Sequence, residues 1–234
     1  MAAVSRFDRP EEAAAAAAEA LAAGLGAGLQ ARGRASLVAT GGSTPGPVYD
    51  RLSQRALDWS RVEVALSDER WVAADQPASN ERLVRARLLT GPAAAATFIP
   101  LKTPAPTPSA AQAEVEQRLA AMPRPFDAVL LGMGEDGHIA SLFPGMEKLA
   151  EGLDARGSKL CMAVEPGQNA PPAEPRLGLT LAALASARTV VVFIVGAAKW
   201  AAWERALAGD DPLEMPVRAL LASGASVRVI WAAQ

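Results

Sequence analysis

Histidine, cysteine and tyrosine occur once each in this chain of 234 residues. A lone cysteine, Cys161, excludes an intramolecular disulfide, and one cysteine with one histidine excludes a zinc site built from soft ligands. No stretch approaches the ~18 uninterrupted apolar residues of a membrane span. Charge of neither sign dominates: the net formal charge is -2 and the pI about 5.6. That balance argues against a nucleic-acid partner, which calls for a strongly basic face, so any phosphate recognised here is expected to be small. A secretory leader is not expected either. The alanine run EEAAAAAAEALAAGL is flanked by Glu11, Glu12 and Glu19 and carries helix periodicity. With no disulfide and no leader, a soluble cytoplasmic protein is the expectation.

Half of the residues are apolar, ample for a buried core. The length exceeds the usual ~100–150 residues of a domain, yet α/β proteins often use such a length as one unit, so residues 1–234 are expected to form a single domain. Short β-branched or apolar runs read as strands: ASLVAT (35–40), VEVAL (62–66), DAVLL (127–131), TVVVFIV (189–195) and SVRVIW (226–231). Helical patterns lie between them, at 11–32, 46–57, 80–89, 109–121, 139–143, 178–187 and 197–208. Such alternation implies an α/β fold with a mostly parallel sheet covered by helices on both faces. The proline-bearing stretches 100–110 and 165–175 read as surface connectors.

Ligands of open parallel sheets sit beyond the carboxyl ends of the strands, which makes the loops after the strands the ones to read. GGSTPGPVYDRL follows ASLVAT. Gly41, Gly42 and Ser43 form a turn suited to an oxyanion or phosphate, or else the glycines only tighten a turn in which Ser43 or Thr44 caps a helix. SDERWV follows VEVAL. Arg70 there offers a fork for a phosphate, oriented by Asp68 and Glu69, or else belongs to a solvated charge cluster. Ser79 and Asn80 read as helix caps rather than ligand groups. After TVVVFIV, Gly196 permits close approach. Lys199 falls in the first turn of a helix, where a cation is unfavourable unless an anion shares the site. Trp200 and Trp203, three apart, are expected to face the sheet.

Most informative is GMGEDGH after DAVLL. Gly132, Gly134 and Gly137 spell GxGxxG, which alone predicts a dinucleotide site. The motif lies past the midpoint of the chain, however, and Asp154, at the right distance, is not at a strand end. The glycines instead let the backbone approach a small ligand. Asp136 is placed to orient His138, leaving one ring nitrogen free as a base.

Taken together, GGSTP, SDERWV, SN before a leucine-rich helix, LGMGEDGHIASLFPG and a late GxxK resemble the 6-phosphogluconolactonase family in order and spacing over nearly the whole chain. The resemblance implies a modified Rossmann-like three-layer sandwich and hydrolysis of 6-phosphoglucono-δ-lactone in the oxidative pentose phosphate pathway, with no metal or organic cofactor. It implies a catalytic role for His138 with Asp136 beside it, and phosphate binding by Arg70, Lys199 and the Gly41, Gly42, Ser43 loop. The expected partner is a small phosphosugar lactone, with no nucleic acid and no membrane, bound by a monomer or weak homodimer. One departure is visible. PRLGLT stands where similar proteins carry ERxTLT, so Pro175 and Gly178 replace Glu and Thr while Arg176 and Thr180 remain, and no role is assigned to that strip.

Three other readings compete. Glucosamine-6-phosphate deaminases share the glycine loop and a GxDGHI segment, but continue with an Asn-Glu-Pro strip, whereas Ser141, Leu142, Phe143 and Pro144 follow here. GGSTP approximates a GxSxG nucleophile elbow around Ser43, with Pro45 in place of the closing glycine. A sugar-phosphate sensor would use the same fold and anion loop without turnover.

Overall fold

The computed structural model describes residues 2–166 and 174–233, so part of the second proline-bearing stretch, 167–173, lies outside the described residues. The chain opens with β1 (Ala3–Phe7) and the long helix α1 (Pro10–Arg32). It continues through β2 (Ala35–Ala39), α2 (Gly46–Leu52), β3 (Val62–Leu66), β4 (Asp68–Arg70), α3 (Asn80–Arg87) and β5 (Thr97–Ile99). Then come α4 (Pro108–Ala121), β6 (Ala128–Leu131), α5 (Leu149–Gly152), β7 (Cys161–Val164), β8 (Arg176–Leu179) and α6 (Leu181–Ala185). The last elements are β9 (Val190–Val195), α7 (Ala197–Ala208), α8 (Val217–Ala222) and β10 (Val227–Ala232). No helix among the described residues is long and apolar enough to cross a membrane.

Seven strands form one sheet in the order β1-β10-β9-β6-β2-β3-β5, and every neighbouring pair is parallel. Every residue of β2 and β6 is buried, as are five of the six in β9, which is how continuous apolar runs read when helices cover both faces of a sheet. The result is the three-layer α/β fold that the alternation implies. Helix α1 follows from its sequence directly. Ala14, Ala18, Leu21, Leu25 and Gly28 recur at helical spacing and are all buried. Gly33, at φ 71, closes the helix by donating its N–H to the Leu29 carbonyl.

Three strands build a second sheet, β4-β8-β7, that is antiparallel and was not legible in the hydrophobic pattern. Its strands are short and two carry charge: DER in β4 and RLGL in β8. The expected helix at 178–187 is therefore shorter, starting only at Leu181, where the Thr180 hydroxyl accepts from the Ala183 N–H. The expected helix at 139–143 does not form. Ile139 and Leu142 face each other across a tight bridge, with Ala140 and Ser141 at φ 49 and 62. Five residues before a proline cannot offset the cost of a helical nucleus, and the spacing of Ile139 and Leu142 only imitates a helix face. The helix beginning at 46 ends at Leu52 rather than 57, and β1 and β5 were missed because both are short edge strands with few buried residues.

At the amino ends of the central strands, Asp127 joins β6 to β2. Its buried carboxylate accepts the Ser36 N–H at 2.9 Å, and its own N–H reaches the Ser36 carbonyl at 3.2 Å. Arg32 at the end of α1 donates to both carboxylate oxygens at 2.5 and 2.6 Å. Replacing Asp127 by Ala strands a half-buried guanidinium and a buried N–H, and is expected to lower stability by about 2–4 kcal/mol. Urea unfolding measures this, and a loss below about 1 kcal/mol would remove Asp127 as the clamp between the two strands.

Candidate active site

From β2 the sheet grows outward to β3 and β5, and from β6 it grows the other way to β9 and β10, so strand order reverses between β2 and β6. Loops that diverge from neighbouring carboxyl ends leave a crevice. A pocket of about 240 Å³ opens there, bordered by Gly41, Gly42 and Ser43 after β2, by Arg70 of β4, by Gly132, Gly134 and His138 after β6, and by Lys199 at the start of α7. Four segments far apart in sequence thus converge. Asp136 does not border the pocket but reaches it through His138.

The His138 Nδ1 lies 2.6 Å from Asp136 Oδ1, and the same oxygen accepts the His138 backbone N–H at 3.1 Å. Partial burial pushes the Asp136 carboxyl up, but the hydrogen bonds and charge of His138 together outweigh it and hold the group below the usual aspartate range. An ionised carboxylate only accepts, so Nδ1 carries a proton, and in the neutral form of the ring Nε2 is the acceptor. The loop is held from several sides. Gly134 donates to the His138 carbonyl at 2.9 Å, Arg205 of α7 donates to the Glu135 carbonyl at 2.6 Å, and Val217 of α8 donates to the Gly137 carbonyl at 2.9 Å. A Cβ at position 134 would lie 2.1 Å from His138 Nδ1 and 2.2 Å from Asp136 Oδ1. This glycine is accounted for by the imidazole and carboxylate packed against it, with no dinucleotide needed.

Arg70 does not pair with its neighbouring acids. Its Nη1 donates to the Ala78 carbonyl at 2.8 Å and to Asn80 Oδ1 at 3.1 Å, while Glu174 approaches its Nε to 3.8 Å. Asp68 and Glu69 are buried, so the solvated-cluster alternative fails. The Glu69 carboxylate accepts the N–H groups of Arg70, Asn80 and Glu81 and the Ser79 hydroxyl. Burial pushes its carboxyl up, and those four bonds pull it only part of the way back. Ser79 caps α3 as expected, accepting from the Arg82 N–H at 3.2 Å. Asn80 departs from expectation: it borders the pocket and holds Arg70, with its own Nδ2 donating to the Asp68 carbonyl at 2.8 Å.

Lys199 borders the pocket from the third residue of α7. Gly196, at φ 93, makes the turn before it, and β10 fixes that turn. Gly196 donates to the Ala232 carbonyl at 2.9 Å, and the Trp231 indole donates to the Gly196 carbonyl at 3.0 Å. Trp203 packs inside as expected, whereas Trp200 is partly exposed and stacks on Trp231, with the Arg6 guanidinium over its ring. The α2 terminus has no side-chain cap, so neither Ser43 nor Thr44 serves the purely local role that the alternative reading gave them.

Sequence reasoning left out Arg176, which lines the pocket from β8. It stands directly opposite Arg70 in the β4–β8 ladder, a like-charge pairing that is unfavourable without a counterion. Burial pulls its guanidinium below the usual arginine range. Asp68, 3.7 Å away, opposes that pull, and Arg70 adds to it. Its Nη1 reaches the Ser141 hydroxyl at 3.3 Å, Ser141 in turn donates to Asp68, and the Arg176 Nε has no hydrogen-bond partner among the described residues. The retained arginine of the PRLGLT strip was the available signal. Gly178 in that strip also has a reason, since a Cβ there would lie 2.5 Å from the Ala140 carbonyl oxygen and push away the turn that carries Ser141. Thr180 caps α6 and bonds the Lys159 carbonyl, away from the pocket. Among the described residues, no group of three or more His, Cys, Asp or Glu side chains is gathered to hold a metal ion.

Residues 8–231 match the sequence model of the family described as glucosamine-6-phosphate isomerases/6-phosphogluconolactonase. The 6-phosphogluconolactonase of Rhizobium meliloti is 43% identical over 227 residues, covering 97% of each chain. That of Caulobacter vibrioides is 45% identical over 220 residues, 93% of this chain and 91% of its own. The crystal structure of a 6-phosphogluconolactonase from Shewanella baltica superimposes with a TM-score of 0.94 at 40% identity, covering 100% of this chain and 98% of that one.

Asp136 provides a test of the loop's electrostatics. Its native pKa lies below the unfolded value, so its ionised form adds stability at pH above the ordinary aspartate value of about 3.9 and loses it as pH falls through the lowered native value. The wild-type chain should therefore exceed Asp136→Asn in urea stability at about pH 6, and the gap should narrow as the pH falls below the ordinary aspartate value. A gap that widens on acidification would contradict the pairing with His138.

Proposed function

The chain belongs to the glucosamine-6-phosphate isomerase and 6-phosphogluconolactonase family, and on that premise we propose that it hydrolyses 6-phospho-D-glucono-1,5-lactone to 6-phosphogluconate. One observation carries this reading: a sole imidazole with its acceptor nitrogen free shares a pocket with three cations, Arg70, Arg176 and Lys199. The cations suit a phosphate, and the imidazole suits an acyl carbon held at a fixed distance from it.

A lactone carbonyl is already electrophilic, so the reaction needs a positioned water, a base for its proton and donors for the developing oxyanion. Nε2 of His138 takes a proton as water adds to C1. The imidazolium then returns it to the ring oxygen as the C1–O bond breaks, leaving the open-chain carboxylic acid, which releases its proton to solvent and becomes the carboxylate. Asp136 keeps Nδ1 protonated throughout and stabilises the imidazolium. Arg70, Lys199 and the Gly41, Gly42, Ser43 loop hold the phosphate, joined by Arg176, and that remote binding places C1 beside His138. No covalent nucleophile is required. Ser43 shares no hydrogen bond with His138 among the described residues, which weighs against the elbow alternative. The reading places the chain in the oxidative pentose phosphate pathway, as a cytoplasmic monomer or weak homodimer that acts on a small phosphosugar.

Replacing His138 by Ala or Gln should lower kcat by about 10²–10⁴ with little change in KM, measured on freshly prepared lactone and corrected for spontaneous opening. Undiminished turnover removes His138 from the reaction. Replacing Arg70 or Lys199 by Ala should raise KM for the phosphorylated lactone about 10- to 100-fold and leave unphosphorylated gluconolactone little affected. Equal losses on both lactones would refute the phosphate assignment. An amino sugar phosphate offered in parallel should not be turned over, and its deamination would move the chain to the other branch of the family. Tight 6-phosphogluconate binding without turnover would make it a sensor.

A further inference from the structure

Seven buried residues form a small apolar cluster separate from the main core: Leu142, Phe143, Met146, Leu149, Leu153, Met162 and Val164. Within it Phe143 is 4% exposed and does not itself border the pocket, but its ring packs beside two residues that do, His138 and Arg176. The His138 ring lies against it, with centroids 4.3 Å apart and planes tilted by 40°. The Arg176 guanidinium carbon stands 5.2 Å from the centroid of the same ring. Thus one aromatic side chain, rooted in its own cluster, touches both the imidazole and one of the pocket's cations. These two polar groups come from different sheets: His138 follows β6 of the large sheet, and Arg176 opens β8 of the small one.

A shared support matters because each group is held loosely by its other partners. The imidazole has one side-chain hydrogen bond, to Asp136, about which the ring can rock. Arg176 has a single contact at 3.3 Å to Ser141, an acid at 3.7 Å and a buried Nε with no partner among the described residues. An aromatic face attracts a guanidinium and offers a flat, rigid wall to an imidazole. From this geometry we propose that Phe143 is a positioning residue, whose ring sets the imidazole of His138 and the guanidinium of Arg176 at a fixed separation, so that an anion held by Arg176 presents its reacting carbon to Nε2. The kinetic part rests on the lactonase reading, whereas the positioning of the imidazole does not.

The single histidine makes the test direct, because one imidazole Cε1–H resonance appears in the proton spectrum of the whole protein and needs no assignment. Phe143→Leu should shift that resonance by removing the ring current, and should lower kcat by about 10- to 100-fold with a smaller rise in KM, the pattern of a misplaced base rather than a lost binding group. Leu153→Ala, in the same cluster, should lower the melting temperature while leaving the resonance and kcat in place. Should Phe143→Leu fail to fold, Phe143→Met keeps the volume and removes the ring, and the same readouts apply. An unmoved resonance, an unchanged kcat in either folded Phe143 variant, or an equal kcat loss in Leu153→Ala would overturn the proposal. If the wild-type chain hydrolyses no lactone, a shifted resonance still supports the hold on the imidazole, and an unshifted one defeats it.

Discussion

Everything at the pocket depends on the parallel alignment of β2 with β6. Parallel strands send all their carboxyl ends to one edge, and the reversal of strand order between these two opens a gap at that edge. The loops after β2 and β6 face each other across the gap only if the strands are in register, and a slip of one residue would invert every side chain of a strand buried on both faces. Asp127 fixes the alignment at the opposite end, tying the start of β6 to Ser36 of β2 and to the last turn of α1. The chemistry and its anchor therefore sit at opposite ends of the same two strands. The anchor is buried and ion-paired, whereas the working end is open and lined with charge.

The small antiparallel sheet contributes differently. It sets Arg70 opposite Arg176, so two cations are held side by side by backbone hydrogen bonds that neither side chain would choose. Asp68 and Glu174 relieve the repulsion at 3.7 and 3.8 Å, too far for strong hydrogen bonds. The β4–β8 ladder thus carries an unfavourable pairing that an anion would convert into a favourable one. Glu69 shows how such a site is kept from collapsing. Its carboxylate is spent on four donors at the start of α3 and leaves Arg70 free to face the pocket.

The central architecture was legible because buried parallel strands write themselves as continuous β-branched runs: β2, β3, β6, β9 and β10 all lie within a residue or two of the patterns. What escaped had no such signature. Edge strands β1 and β5 bury little, and β4 and β8 draw their order from pairing with each other rather than from hydrophobic periodicity. Of the site, His138, Asp136, Arg70, Lys199 and the glycine loop were readable from their places after strands. Arg176 and Asn80 were not, because a polar residue at a strand start or helix start has an ordinary local explanation, and only the tertiary ladder aims it at a pocket. The apparent helix at 139–143 failed for a related reason. Its spacing is apolar at the right interval, but Ala140 and Ser141 are held in left-handed conformations by contacts with β8 and Asp68 that lie far away in sequence.

That turn also gives Gly178 its place in the site. Left-handed backbone at two consecutive non-glycine residues costs of order 1–3 kcal/mol at each, and persists only where the surroundings over-determine it. Here the Ala140 carbonyl presses toward Gly178, where a β-carbon would not fit, and the Ser141 hydroxyl is tied to Asp68. A larger residue at 178 would push the turn outward, taking Ser141 away from Asp68 and Arg176. The glycine and the strained turn are complementary, one making room for the conformation of the other. Strain concentrated between His138 and Phe143 is then part of how the loop is held rigid, since relaxing it would move the imidazole, the ring beneath it and the hydroxyl beside Arg176 together.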